Sequence, residues 1–386
     1  MPPIFFPPIR RRLDGLDYLI AGGNGFIGSN FIAYMLRKDP SATIMNLDRY
    51  RKESIEELMG INEFQGRYLF KEGDICELST YEHYVKVADV VVNCFSESDR
   101  TRFDERMERF VRTNVLGARI LADAACRSDV PMLHISTDEV YGSCPISVQR
   151  RDETCPLDPS NPYSTTMAAG ERLVTLAARK AEVPAAILRP CELIGPNPRK
   201  EGLVPLNIRR VLEGQPPIYW GKVEERYRDF LHVLDLCSAM ELVIRSLTGA
   251  RGGRSRDGTQ PEIVQPGKTV ISGTNIATLP VVQQAKVQPL QMTGGVTTFN
   301  VTGELRYSLT NIMERMLSIM GSNLPMQESS DDNYRDVGYN PSGRKLSYHG
   351  WQAKYTDIDE VLRSTIEWYK EHPETLESSM SRRLLP

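Results

Sequence analysis

A glycine-spaced turn fixes the first third of this chain. Gly22-Gly23-Asn24-Gly25-Phe26-Ile27-Gly28 follows the apolar run Asp17–Ala21 and opens a helical pattern over Phe26–Arg37. In such a turn Gly22 permits the tight bend, Gly25 lets backbone approach a pyrophosphate, and Gly28 lets helix and strand pack closely. Phe26 and Ile27 supply the first helical amides, where unpaired N–H groups and the helix dipole favour an anion. Asp48 closes a second apolar run, Ala42–Leu47. A carboxylate about 20 residues after the turn accepts hydrogen bonds from ribose hydroxyls and repels a 2′-phosphate, so NAD is expected rather than NADP.

Arg67–Phe70, Asp89–Val92, Met132–Ile135 and Pro184–Leu188 are further short apolar runs separated by helical patterns. Strands alternating with helices argue an α/β fold: a doubly wound parallel sheet of the Rossmann type, with ligands at the carboxyl ends of its strands. A chain of 386 residues is long enough for two lobes. The expected organisation is an extension over 1–14, a dinucleotide-binding domain over 15–190, and a smaller C-terminal substrate-type lobe over 191–386, some of whose segments return to the first domain. Val233–Leu247, Leu305–Met320 and Thr356–Glu371 carry apolar residues at helical spacing.

Composition narrows the function classes. Lys+Arg 47 against Asp+Glu 50 leaves no basic footprint, so direct nucleic-acid binding is not expected. No apolar run approaches the roughly 20 residues of a membrane span. Cys76, Cys94, Cys126, Cys144, Cys155, Cys191 and Cys237 are scattered, odd in number and without C-x-x-C spacing, and the five histidines are equally dispersed. An intracellular, reducing compartment and no metal site follow as expectations. The start joins prolines to Ile4-Phe5-Phe6 and Arg10-Arg11-Arg12. Its prolines oppose the amphipathic helix of a transit peptide, so a surface-bound tail and a cytoplasmic rather than mitochondrial setting are expected.

Two motifs carry the chemistry: Ser136-Thr137-Asp138-Glu139-Val140-Tyr141-Gly142 at a strand end, and Tyr163-Ser164-Thr165-Thr166-Met167 at the start of a helical stretch. With the glycine turn, with Gly73-Asp74-Ile75 and with Tyr227-Arg228-Asp229-Phe230-Leu231-His232, they resemble the extended short-chain dehydrogenase/reductase family of epimerases and dehydratases. Within it the chain is most similar to the nucleotide-sugar 4,6-dehydratases that act on dTDP-glucose, and the resemblance runs through most of its length. It implies Tyr163 as base at the sugar C4 hydroxyl, Thr137 as its hydrogen-bond partner, Asp138 as acid to the leaving hydroxyl and Glu139 as base at C5. It further implies Asp74 and Ile75 at the adenine and Arg228 at a substrate phosphate. Asp74 reads equally as a loop-capping aspartate; for Arg228 a surface salt-bridge residue is the lesser alternative.

The family has Tyr-x-x-x-Lys; this chain has Met167 in the lysine's place. Positions four apart share a helix face, so the lysine can hold the nicotinamide ribose and lower the tyrosine pKa together. Unperturbed tyrosine titrates near 10, leaving about one in 1,000 ionised at pH 7, a handicap of about 4 kcal/mol. Phe95 stands where the family has a small residue beside the cofactor, Glu192-Leu193 replace asparagines, and Gly202 replaces a frequent lysine. The expectation is a catalytically disabled relative serving as a structural or regulatory subunit. The alternative is an active or slow dehydratase or epimerase in which another cation substitutes.

Residues 249–297 form an insertion where family members have a short turn. It opens Gly-Ala-Arg-Gly-Gly-Arg-Ser-Arg and is poor in large apolar side chains. It reads either as a surface loop or as a basic, strand-prone arm that, with residues 1–12, docks on protein partners.

Overall fold

The computed structural model describes residues 16–51, 56, 60–64, 66–98, 103–197, 202–220, 226–249, 290, 292, 295–329 and 336–373. Its centre is a parallel sheet of β1 (Asp17–Ala21), β2 (Thr43–Asp48), β3 (Tyr68–Glu72), β4 (Val90–Asn93), β5 (Met132–Ile135), β6 (Ala185–Pro190) and β10 (Val296–Val301), in the order β10-β6-β5-β4-β1-β2-β3. β4, β5 and β6 are buried at every position, the continuous apolar signature of strands covered on both faces. One face packs on α1 (Phe26–Lys38) and α7 (Val233–Gly249) through Phe31, Ile32, Leu36, Val243 and Ile244. The other packs on α2 (Glu82–Val87), α4 (Ala118–Arg127) and α5 (Pro162–Ala181) through Val85, Leu121, Ala125, Val174 and Ala178.

Register sets the site. Ala21 pairs with both Leu47 and Asn93, so β1 and β4 end level and β2 one residue later, which brings Gly22, Asp48 and Cys94 to one edge. Ile135 pairs with Leu188, bringing Ser136 and Thr137 to the same edge.

A second apolar cluster joins α6 (Leu203–Leu212), α8 (Leu309–Met320) and α10 (Ile358–Glu371) through Ile208, Ile312, Met316, Val361 and Leu362. It backs a three-stranded sheet, β11 (Leu305–Ser308), β9 (Tyr227–His232) and β7 (Glu192–Ile194). A two-stranded pair, β8 (Ile218–Trp220) and β12 (Gln327–Ser329), lies beside these elements in the chain. Among the described residues no helix is long and apolar enough to cross a membrane.

Two expectations need correction. The stretch Leu305–Met320 is not one helix: its first four residues are β11, antiparallel to β9, and Ser308 then caps α8 by accepting from Asn311 N at 3.2 Å. Short apolar runs fit either period, and the serine cap decides where the helix begins. The presumed insertion ends before 297, because β10 starts at Val296 and pairs in parallel with β6. Residues 250–289 of it, including the strand-prone Thr278–Val282, lie outside the described residues, as does the 1–12 tail.

Candidate active site

The glycine turn is shaped by backbone contact. Gly22 has φ +85°, and a Cβ on it would stand 2.7 Å from Phe95 N. A Cβ on Gly28 would meet the Gly22 carbonyl oxygen at 2.3 Å, whereas one on Gly25 would touch only that same oxygen, at 3.2 Å. The turn is therefore closed behind Gly22 and Gly28 and open at Gly25. Gly25 caps α1 without a side-chain hydrogen bond, and the first turn, from Phe26 and Ile27, has no acidic residue. Its partial positive charge is left for an anion.

Asp48 is aimed at the turn: its carboxylate accepts from Asn24 N at 2.9 Å and Arg49 N at 2.8 Å. Asp74 accepts from Cys76 N at 2.8 Å and has Arg49 and Arg112 each 3.6 Å away. Burial pushes its carboxyl upward, but the Cys76 amide and the two arginines outweigh this and hold it below the usual range. The loop-capping role is thus present whatever else Asp74 contacts. Ile75 is buried and accepts from Tyr81 Oη through its carbonyl at 2.7 Å. The Phe95 ring joins the apolar cluster of Leu19, Ala21, Leu47 and Ile75, which takes it into the core while its backbone abuts Gly22. The residues present fit a dinucleotide: an open glycine cradle, an uncompensated helix start and an oriented carboxylate.

The acid–base motif grows from β5. Thr137 caps the one-turn segment Asp138–Tyr141, its Oγ1 accepting from Glu139 N at 3.3 Å. Gly142 ends it at φ +79°, where a Cβ would collide with Asp158 O at 1.8 Å. Asn161-Pro162 starts α5 with a reciprocal capping box between Asn161 and Ser164, which sets the angle at which Tyr163 enters the site. A cavity of about 120 Å³ is lined by Thr137, Asp138, Glu139, Tyr163, Glu192 and Arg228, and also by Phe26 and Ile27 of the glycine turn. Residues from both predicted motifs therefore meet at one place.

Burial and the neighbouring Glu139, Asp229 and Glu192 carboxylates push Asp138 well above the ordinary carboxyl range, with Arg228 opposing. This setting favours the protonated form of the Asp138 carboxyl. Glu139 Oε2 accepts from Asn161 Nδ2 at 3.1 Å and contacts Tyr339 Oη at 3.2 Å. Arg228 lines the cavity, yet it donates to the Tyr227, Val337 and Asp336 carbonyls at 2.8, 3.0 and 3.1 Å and stacks over the Tyr339 ring. Met167 is buried with Tyr163, Phe110, Val140 and Tyr141.

Sequence reasoning missed several supports. Glu171, one turn beyond Met167, forms a buried forked pair with Arg189, whose Nη1 reaches Tyr141 Oη at 2.6 Å, while Ser136 Oγ donates to Glu171 at 2.9 Å. Tyr141 Oη in turn donates to Asn300 at 2.8 Å. Tyr339, Asp336 and Arg226 were also missed, because no motif marks them. Only Asn161 had a legible signal, the Asn-Pro helix start.

A sequence profile described as the NAD dependent epimerase/dehydratase family matches residues 18–255. The chain is 30% identical to a dTDP-glucose 4,6-dehydratase of Mycolicibacterium smegmatis over 91% of its own length and 92% of the relative's. It is 38% identical over 60% of its length, and 73% of the relative's, to the low-salt glycan biosynthesis protein Agl12 of Haloferax volcanii. Its fold is similar to that of a dTDP-glucose 4,6-dehydratase from Streptomyces venezuelae solved with NAD bound, with a TM-score of 0.76, 23% identity and coverage of 94% and 99% of the two chains.

Proposed function

Because this chain belongs to the NAD dependent epimerase/dehydratase family, we propose that it holds NAD and a nucleotide sugar at a 4,6-dehydratase-type site whose oxidation step is disabled, and that it serves as a structural or regulatory subunit. NAD, held by Gly22, Gly25, Phe26, Ile27, Gly28 and Asp48, would supply the hydride acceptor. The chain's own part in oxidation is removal of the C4 hydroxyl proton by Tyr163, with Thr137 as the hydrogen-bond partner. Elimination then needs a proton on the leaving C6 hydroxyl, which a neutral Asp138 can give, and a base at C5, which is the role of Glu139. Arg228 would face the substrate phosphates.

The single observation that carries the reading is the setting of Met167. It is 3% exposed among Phe110, Val140, Tyr141 and Tyr163, so apolar packing occupies the place that the family gives to an ammonium. Without that charge the family's means of drawing the proton off the phenol is missing. Glu192 adds a negative charge to the cavity that would receive a nucleotide's sugar. The partner surfaces offered are residues 1–12 and 249–297, on sequence grounds alone.

A second reading, a slow dehydratase, draws on the neutral Asp138 beside Glu139, an arrangement that only elimination needs. Purified protein incubated with dTDP-glucose separates the two. No 4-keto-6-deoxy product at ordinary enzyme concentration supports the disabled reading, and clear product ends it. Association in cell extract, with and without residues 250–297, tests the subunit role.

A further inference from the structure

Beside Asp138 and Glu139 the acid–base centre contains a further carboxylate, which the reaction above does not use. Asp336 precedes Tyr339 by three residues, in the segment before α9 (Arg344–Tyr348). Asn161 Nδ2 donates to Glu139 Oε2 at 3.1 Å and to Asp336 Oδ2 at 2.9 Å. Tyr339 Oη lies 2.8 Å from Asp336 Oδ2 and 3.2 Å from Glu139 Oε2. An amide has two hydrogens and serves both acceptors; a phenol has one. Contact with both carboxylates is a pair of hydrogen bonds only when a proton sits on one of them. Tyr339 Oη can then accept from that carboxyl and donate to the other.

The chain of contacts continues outward. Ser160 Oγ donates to Asp336 Oδ1 at 2.7 Å, and Ser160 is exposed. Glu139 and Tyr339 are 7% and 4% exposed. A base buried to that degree either returns its proton to the sugar or hands it on through neighbouring groups.

Resting on the nucleotide-sugar reading, we propose that Asp336 is the outer end of a proton relay for Glu139, running from Glu139 Oε2 through Tyr339 Oη to Asp336 and the Ser160 surface. Glu139 takes the proton from C5 of a 4-keto sugar, and the C–H electron pair becomes the C4–C5 double bond of the enolate. Glu139 then gives its proton to Tyr339 Oη as the phenol's own hydrogen moves to Asp336 Oδ2, and Asp336 releases it to water beside Ser160. Reversal carries a solvent proton to C5. Arg228 faces Asp336 and Tyr339, so a proton that reaches Asp336 is not held there and passes on to water. Burial raises the Asp336 carboxyl, but hydrogen bonds from Ser160, Asn161 and Tyr339, with the Arg228 charge, bring it below its ordinary value. Asp336 is a positioning residue, acting through Tyr339 and Asn161 on Glu139.

The test bypasses oxidation, so a disabled Tyr163 does not silence it. dTDP-4-keto-6-deoxyglucose in D2O is followed by proton NMR for loss of the C5 signal. The full-length protein is expected to catalyse the exchange, Asp336→Asn to slow it at least tenfold with unchanged sugar affinity, Asp336→Glu to retain it, and formate to restore it to Asp336→Ala. Exchange by Asp336→Asn at the unaltered rate overturns the relay, as does absence of exchange in unaltered protein that binds the sugar. Failure to bind the sugar at all overturns the substrate reading instead. The relay is then judged on sugar-free protein by carbon-13 NMR of the Glu139 carboxyl, whose titration Asp336→Asn and Tyr339→Phe should each shift; an unmoved curve overturns it.

Discussion

Met167 lies one helical turn beyond Tyr163 on α5, and the two side chains, 3% and 4% exposed, pack in one apolar cluster with Phe110 and Val140. A thioether there can neither attract charge onto the phenol nor hold a ribose. Met167→Lys should therefore raise dTDP-glucose turnover by as much as roughly a thousandfold, the ionisation handicap of an unperturbed tyrosine. The rate of 4-keto product formation against pH is the measurement, and the variant should reach its plateau at lower pH. No gain would mean that Glu192 and Gly202 are also disabling.

The glycine cradle predicts cofactor retention. Denatured protein should release NAD, detectable by mass spectrometry, and not NADP. Gly28→Ala places a methyl 2.3 Å from the Gly22 oxygen and 2.7 Å from the Gly23 Cα. Neither neighbour is a flexible side chain, so the turn must shift. Affinity should fall at least tenfold, about 1.4 kcal/mol, in a titration of added NAD.

Glu171 and Arg189 test the scaffold behind the site. Both are under 5% exposed, and removal of one partner strands the other charge in the core. Glu171→Gln should cost about 3–5 kcal/mol in urea unfolding. Pairing it with Arg189→Met should recover much of that loss.

Two histidines predict acid sensitivity. Burial pulls His134 and His232 from 6.5 to about 4. Each accepts a hydrogen bond or shares one at Nδ1, His134 with Asn93 Nδ2 at 3.0 Å and His232 from Leu234 N at 3.2 Å, an arrangement suited to the neutral ring. Their folded values lie below the unfolded one, so the unfolded chain binds protons first. Their contribution is complete above about pH 6.5 and is lost as pH falls towards 4, by up to about 3 kcal/mol each. Unfolding midpoints across that window should drop steeply, and less so in His134→Gln.

The sequence was most legible where period and chemistry coincide. The strands Asp17–Ala21 and Met132–Ile135 are read to the residue, because each is a buried apolar run ended by a turn residue with a specific geometry. Tyr163 and Glu139 were visible through motifs that fix local backbone. Tyr339 and Asp336 were not: Tyr339 reaches Glu139 from 200 positions away in the chain and Asp336 reaches Asn161 from 175, and nothing local in Asp336-Val337-Gly338-Tyr339 records that meeting. The division of Leu305–Met320 was hidden for a different reason, since four apolar-spaced residues satisfy both periods until Ser308 finds the Asn311 amide.

The seventh strand of the main sheet has a bearing on synthesis. Six strands and the glycine turn are complete by residue 190, whereas β10 adds to β6 only once residues 296–301 have emerged, and Tyr339 later still. During translation the nucleotide cradle can close well before Tyr339 and Asp336 join Glu139 and Asn161. A ribosome-bound chain would thus pass through a stage that can grip a dinucleotide but has no outlet for a proton, and its buried acid centre would be switched on only by the last third of the message.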